Sequence, residues 1–245
     1  MYKYEVLNLE SIDSTQTYLI NKDKNLSLSE FFTVYTSNQS AGKGQGEHKW
    51  ESEKDKNICF SFVLHPVFID PSDQYIITQI ISLAILRTLR EYDINGVKIK
   101  WPNDIYVNNK KICGMLIQNK ILGREFSVSY VGIGINVNQK IFSFAPNPTS
   151  FALEKNGEFN KEEVFQKVMQ NIIGMYLEYK KGKSSNINKK YSDNLLFLNE
   201  YRKYNYKGKE TEFRIIDVNP YGHLILKDRE QKQHIAELRE IEFIF

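Results

Sequence analysis

Only two of the 245 residues are cysteine, Cys59 and Cys113. Both lie inside apolar, strand-like runs, so they read as small buried hydrophobes in a reducing compartment; a disulfide or metal pair is the alternative. Long hydrophobic runs are also missing. The most apolar helix-like stretch, YIITQIISLAIL, is interrupted by Thr78, Gln79 and Ser82 and is too short to span a bilayer. The amino end, MYKYEVLNLE, lacks the apolar stretch of a signal peptide, so a cytoplasmic location is expected. Formal charge is only +3, with lysines scattered rather than massed, so charge alone implies no nucleic-acid partner. Repeats and low-complexity segments are absent. Arginine is missing before Arg87. Any anion handled by the first third must therefore meet lysine, histidine or backbone N–H groups, and lysine lacks the planar fork of arginine.

At 41% hydrophobic and 26% charged residues the chain is a folding one. Its length suits one large core with a small appendage, or two modest domains. Strands are expected over residues 4–9, 31–36 and 58–64, with Asp13 or Ser14 capping a short helix from Thr15. An amphipathic helix is expected over 72–92, with Ile76, Ile77, Ile80, Ile81, Ala84, Ile85 and Leu89 on one face. Strands should follow at 97–101, 105–107, 111–118 and 126–137, then helices over 161–181 and 187–201. From Asn205 the pattern changes to short alternating segments (FRIIDV, HLILKD, HIAEL, EIEFIF) broken by turn signals such as NPYG. That predicts a small barrel-like β domain whose boundary falls between Tyr191 and Lys203.

Three segments can carry chemistry. The first is the loop from Gln39 to Trp50, where Gly42, Gly44 and Gly46 let the backbone curl so that N–H groups converge on an anion. It lacks the spacer of a nucleoside-triphosphatase P-loop, and a flexible surface loop is the plainer reading. The second is the hairpin after KWPND. If Asn108-Asn109 form a two-residue turn, Val107 pairs with Lys110 and Tyr106 with Lys111. Alternation then puts Asp104, Tyr106, Lys111 and Cys113 on one face, with Ile105, Val107, Lys110 and Ile112 on the other. A carboxylate and an ammonium would share a cleft, unless they form only an exposed salt bridge. The third is VGIGINVN. Gly132, Gly134 and Asn136 share a strand face, leaving room for a flat ligand, and Asn136 offers the donor and acceptor that a purine edge requires. A bulged strand beside a bulky neighbour is the alternative.

Taken together, KWPND, the following KK-x-x-G and GIGINVN resemble the biotin–protein ligases, in the monofunctional form without an N-terminal DNA-binding domain. The resemblance runs from Ser14 to about Ser150, and the β-rich tail is similar to the family's small last domain. It implies an α+β fold: a catalytic domain over 1–198 like that of the class II aminoacyl-tRNA synthetases, with a mixed, mostly antiparallel sheet, and an SH3-like β-barrel domain over 199–245. It implies biotin contacts from Ser14, Thr15, Gln16, Gln39, Gly42, Lys43, Gly44, Lys111 and Gly114. ATP contacts are implied for Lys43, Gln45, His48, Trp50, Lys100, Asn103 and Asn136, and catalytic roles for Lys111, Asp104 and Lys43. ATP and Mg²⁺ are the implied cofactors and biotin the substrate. The implied partner is a biotin carboxyl carrier protein of a carboxylase, with neither DNA nor membrane, in a monomer or weak homodimer.

Two departures stand out. The family commonly has Ser-Thr-Asn where this chain has Ser14-Thr15-Gln16, and its glycine loop usually carries three arginines where this chain has Lys43, Gln45 and His48. The implied chemistry joins the biotin carboxylate to the α-phosphate of ATP, giving biotinyl-AMP, and then transfers biotin to a lysine. No nucleophile motif such as GxSxG is present, nor is one required. Asp104 would hold Lys111, hold the metal through water, or accept a proton from the incoming lysine. A lipoate–protein ligase and an inactive biotin-binding module are the competing readings. A DNA-binding repressor is disfavoured because the strand before Ser14 starts almost at Met1.

Overall fold

A computed structural model describes residues 2–46, 48–183 and 186–245. The first sheet has seven strands: β1 (Val6–Leu9), β2 (Thr33–Thr36), β3 (Ile58–Leu64), β4 (Val97–Lys100), β5 (Asp104–Val107), β6 (Lys110–Leu122) and β7 (Glu125–Ile135). Their spatial order is β1-β2-β3-β7-β6-β5-β4. Only β1 and β2 run parallel; every other neighbour is antiparallel. The mixed, mostly antiparallel sheet expected from the sequence is present.

Alternation along the central strands assigns each face. Phe60 and Phe62 of β3, with Val131, Ile133 and Ile135 of β7, point into the main core. That face is covered by α2 (Ile76–Glu91) and α4 (Lys161–Lys180); Phe165 meets Phe60 edge-on at 5.2 Å. On the opposite face α1 (Thr15–Leu26) buries Leu19 against Val63, Val128 and Tyr130. Past Tyr130, where the first turn of α1 sets Gln16 beside the strand, β7 continues with Gly132 and Gly134, which put no side chains of their own on that face, and it becomes the floor of a cleft.

Two expected elements are corrected. The helix over 72–92 begins only at Ile76. Asp70 accepts the Ser72 N–H at 2.8 Å and closes a separate 3₁₀ turn over Pro71–Asp73 first. The helix over 187–201 is α5 (Ile187–Ser192) alone. Its expected continuation bonds the free edge of β4 instead: Ile99 donates to the Asn194 carbonyl at 2.8 Å and Leu196 donates to the Ile99 carbonyl at 2.7 Å. Covering a sheet edge outweighs helix propensity here. Tyr201 accordingly opens a strand, β8 (Tyr201–Tyr206), unforeseen in the sequence, and a short helix, α3 (Phe151–Lys155), was also missed.

The second sheet is antiparallel, with β8, β9 (Lys209–Val218), β10 (Leu224–Lys227), β11 (Gln233–Ala236) and β12 (Ile241–Phe243) in the order β11-β10-β9-β8-β12. Its Phe213, Ile215, Leu224 and Leu226 belong to the same apolar core as α2 and β7. The Trp101 indole N–H donates to the Gly222 carbonyl across the junction at 2.8 Å. Phe245 stacks on Tyr106 at 5.5 Å. No helix among the described residues is long and apolar enough to cross a membrane.

Gly222 is the tightest point of that junction. Its φ is +88°, and a Cβ there would overlap the Tyr75 ring. Gly222→Ala should therefore cost about 2 kcal/mol of stability from strain and overpacking. Urea unfolding followed by circular dichroism measures it; a change under about 0.5 kcal/mol would show the joint to be loose.

Candidate active site

The cleft encloses about 760 Å³ on the glycine face of the first sheet. Gly132, Gly134 and Gly114 form its floor, and the Trp50 ring lies against the last two. A Cβ on Gly114 would stand 3.0 Å from the indole, and one on Gly134 would overlap it. These glycines are therefore required by a flat neighbour.

One end of the cleft is polar and buried. The Thr15 and Ser61 hydroxyls lie 2.8 Å apart, and Gln39 Oε1 accepts the Thr15 N–H at 2.9 Å. Ser14 caps α1, accepting from the Thr17 N–H at 3.4 Å, which leaves its hydroxyl hydrogen free to donate. Gln16 donates to the Tyr130 carbonyl at 3.1 Å, while its Oε1 is buried beside Gly132 without a partner. An unpaired buried acceptor among hydroxyl donors is costly alone and suits a ligand carrying both N–H and C=O groups.

The β5–β6 hairpin forms the opposite wall. Tyr106 pairs with Lys111 and Val107 with Lys110, as the Asn108-Asn109 turn requires, and both asparagines have positive φ. The assignment of Cys113 to the Asp104 face is overturned. A bulge makes Ile112 the extra residue, so Cys113 pairs with Ile105 and faces the core, and Gly114 comes opposite Asp104. Burial pushes the Cys113 thiol well above its usual range, and Cys59, also buried, is pushed up to about 11. Neither is a nucleophile at neutral pH. Asp104 Oδ1 holds Lys111 Nζ at 2.7 Å, and Oδ2 stands 3.9 Å from Lys100 Nζ. Lys100 also lies over the Phe243 ring at 4.8 Å, and its burial lowers its pKa against the opposing pull of Asp104. Asn103 lines the cleft, but its amide bonds the Met115 carbonyl at 2.5 Å and so fixes the hairpin.

In the glycine loop, backbone N–H groups are engaged within the loop itself. Gly44 donates to the His48 carbonyl at 2.8 Å and Trp50 to the Gly42 carbonyl at 3.0 Å, so the loop closes on itself as a small hairpin. Glu47 lies outside the described residues. Lys43, Gln45 and His48 line the cleft. Lys49 and Arg239 join them, and sequence reasoning identified neither. Lys49 was adjacent to the motif and open to inclusion. Arg239 comes from the turn between β11 and β12, and nothing local in the sequence connects it to the cleft.

A second cavity of about 320 Å³ adjoins the first, sharing His48, Lys49, Trp50, Lys111 and Pro146 with it. Asn136 reaches this smaller cavity, with Phe142 and Phe144. The Asn136 amide N–H donates to the Thr149 carbonyl at 2.9 Å, whereas Oδ1 is buried and unpaired. Asn136 thus presents an acceptor only, not the donor–acceptor pair expected.

The model of the Biotin/lipoate A/B protein ligase family matches residues 9–136. The chain belongs to that family. It is 27% identical over 151 residues to the bifunctional ligase/repressor BirA of Bacillus subtilis, covering 60% of this chain and 46% of that one. It is 36% identical over 108 residues to biotin--protein ligase 2 of Arabidopsis thaliana, covering 42% and 32%. The chain thus matches less than half the length of each of these relatives. The Aquifex aeolicus biotin protein ligase, solved in complex with biotin and ATP, has the same fold: TM-score 0.76, 23% identity, 97% of each chain covered.

If Trp50 rests on Gly134, a methyl group there must displace it. Gly134→Ala should make the Trp50 share of fluorescence more accessible to acrylamide, against the buried Trp101 as internal background. Identical quenching in the variant would place the indole elsewhere.

Proposed function

We propose that this chain is a cytoplasmic biotin–protein ligase, which converts biotin and ATP to biotinyl-5'-AMP and pyrophosphate and then biotinylates a lysine of a biotin carboxyl carrier protein. The observation that carries this reading is the position of Lys111 in the wall common to both cavities. A cyclic urea suits the polar end of the larger cavity: Gln16 Oε1 lacks a donor, and the Ser14 hydroxyl can donate to a carbonyl. A purine amino group suits the unpaired Asn136 Oδ1 in the smaller cavity. The carboxylate–phosphate junction then falls near Lys111 Nζ. Named relatives with this activity, and a neighbour of the same fold that binds biotin with ATP, support the assignment.

In the first step a biotin carboxylate oxygen bonds to the α-phosphorus, and pyrophosphate leaves with the electron pair of the broken P–O bond. Lys111 steadies the charge that develops there, with Lys100, Lys43, Lys49 and Arg239 around the departing phosphates. In the second step the acceptor amine attacks the acyl carbon, AMP leaves with the C–O electron pair, and the amine's surplus proton passes to solvent. Of the three roles open to Asp104, its 2.7 Å contact favours orienting Lys111. Mg²⁺, when bound with the nucleotide, would supply charge neutralisation on the phosphates. Asp104 and Glu242, carboxylates that line the larger cavity, are the side chains that would hold it.

Lys111→Ala should lower pyrophosphate release with biotin and ATP by about 10²-fold or more. Near-normal turnover would remove Lys111 from the mechanism. Transfer of labelled biotin to a carrier domain, dependent on ATP, tests the whole assignment. Calorimetric preference for lipoate over biotin would overturn the substrate.

A further inference from the structure

Glu51 follows Trp50 directly, at the point where the glycine loop returns to the sheet. Its carboxylate accepts three consecutive backbone N–H groups from a segment far along the chain. Oε1 takes Ser143 at 2.6 Å, and Oε2 takes Phe144 at 2.9 Å and Ala145 at 2.8 Å. Desolvation opposes the charge, yet these three donors hold the carboxyl below its ordinary range. Charge-assisted bonds to successive amides fix a backbone far more firmly than a surface ion pair does.

The gripped segment forms the wall of the smaller cavity: Phe144, Ala145 and Pro146 line it directly. Phe144 is 63% exposed and Ile141 81%, so this wall has no apolar cover of its own. Its other ties are at its ends. Gln139 accepts from the Glu53 N–H at 3.0 Å, and Lys111 donates to the Asn147 carbonyl at 2.6 Å. Between those ends, Glu51 is the side chain whose bonds hold residues 143–145.

We infer that Glu51 is a positioning residue for the nucleotide: its carboxylate holds residues 143–145 at the height at which they close the wall of the smaller cavity. This rests on the reading that the smaller cavity takes the nucleotide. A carboxylate is needed because a glutamine has a single acceptor oxygen and would turn its own N–H groups toward the backbone donors.

The test uses the full chain with calorimetric titration of ATP and, separately, of biotin. Glu51→Gln and Glu51→Ala should each weaken ATP binding, by about tenfold for alanine and less for glutamine. Biotin affinity and melting temperature should stay close to wild type, which a general loss of structure would not allow. Unchanged or tighter ATP binding in both variants, with wild-type enzyme releasing pyrophosphate, would overturn the role of Glu51 and leave the ligase reading standing. Parallel loss of biotin affinity would likewise overturn it, by showing a wider structural effect. A wild-type chain that neither binds ATP nor releases pyrophosphate would overturn both.

Discussion

The cleft depends on one extra residue in β6. Were the β5–β6 pairing regular, Cys113 would stand beside Asp104 and Gly114 would turn into the core. The bulge at Ile112 moves the strand forward by one residue, so an ammonium and a bare backbone flank the carboxylate instead. The Ile112 carbonyl also accepts the Asn136 N–H at 2.9 Å, tying the hairpin to the end of β7. At 2.7 Å, and with an effective dielectric of about 20, the Asp104–Lys111 attraction is about 6 kcal/mol before desolvation. Desolvation of the pair and the roughly 2 kcal/mol of lost lysine rotamer freedom offset part of it, and the 2.7 Å contact is the net outcome. The ammonium is therefore oriented before any ligand arrives.

Positive charge around this pair is assembled from several parts of the fold. The first third has no arginine, and its glycine loop contributes Lys43 and Lys49. β4 contributes Lys100, the β5–β6 hairpin Lys111, and the β11–β12 turn Arg239. Phe243 does a different kind of work. Its ring lies 4.8 Å from the Lys100 ammonium, and burial partly strips that lysine of water while Asp104 favours its charged form. A desolvated cation interacts more strongly with phosphate than a hydrated one does.

Much of this was legible because the deciding signals were local. Asn108-Asn109 selects a two-residue turn, and that turn sets the Tyr106–Lys111 pairing without reference to the rest of the chain. The glycine spacing of β7 similarly announces a face without side chains. The bulge was not legible. Ile112 and Cys113 are both apolar and both buried in the main core, so alternation had no polar residue to mark the slip. The segment after Ser192 misled for a different reason: β4 needed partners for its edge, and Asn194 and Leu196 supply them. Arg239 and Phe243 enter the cleft only through the docking of one sheet on another, a relation that no short window of sequence contains.

The core that crosses from the first sheet to the second has a consequence for the evolution of the chain. Residues of β9 and β10 fill the same apolar interior as α2 and β7, and Gly222 is shaped to Tyr75. A tail exchanged between relatives would bring its own Phe213 and Leu224 equivalents into a cavity moulded for others. Recombination at this seam is therefore penalised, and substitutions on its two sides must change in concert.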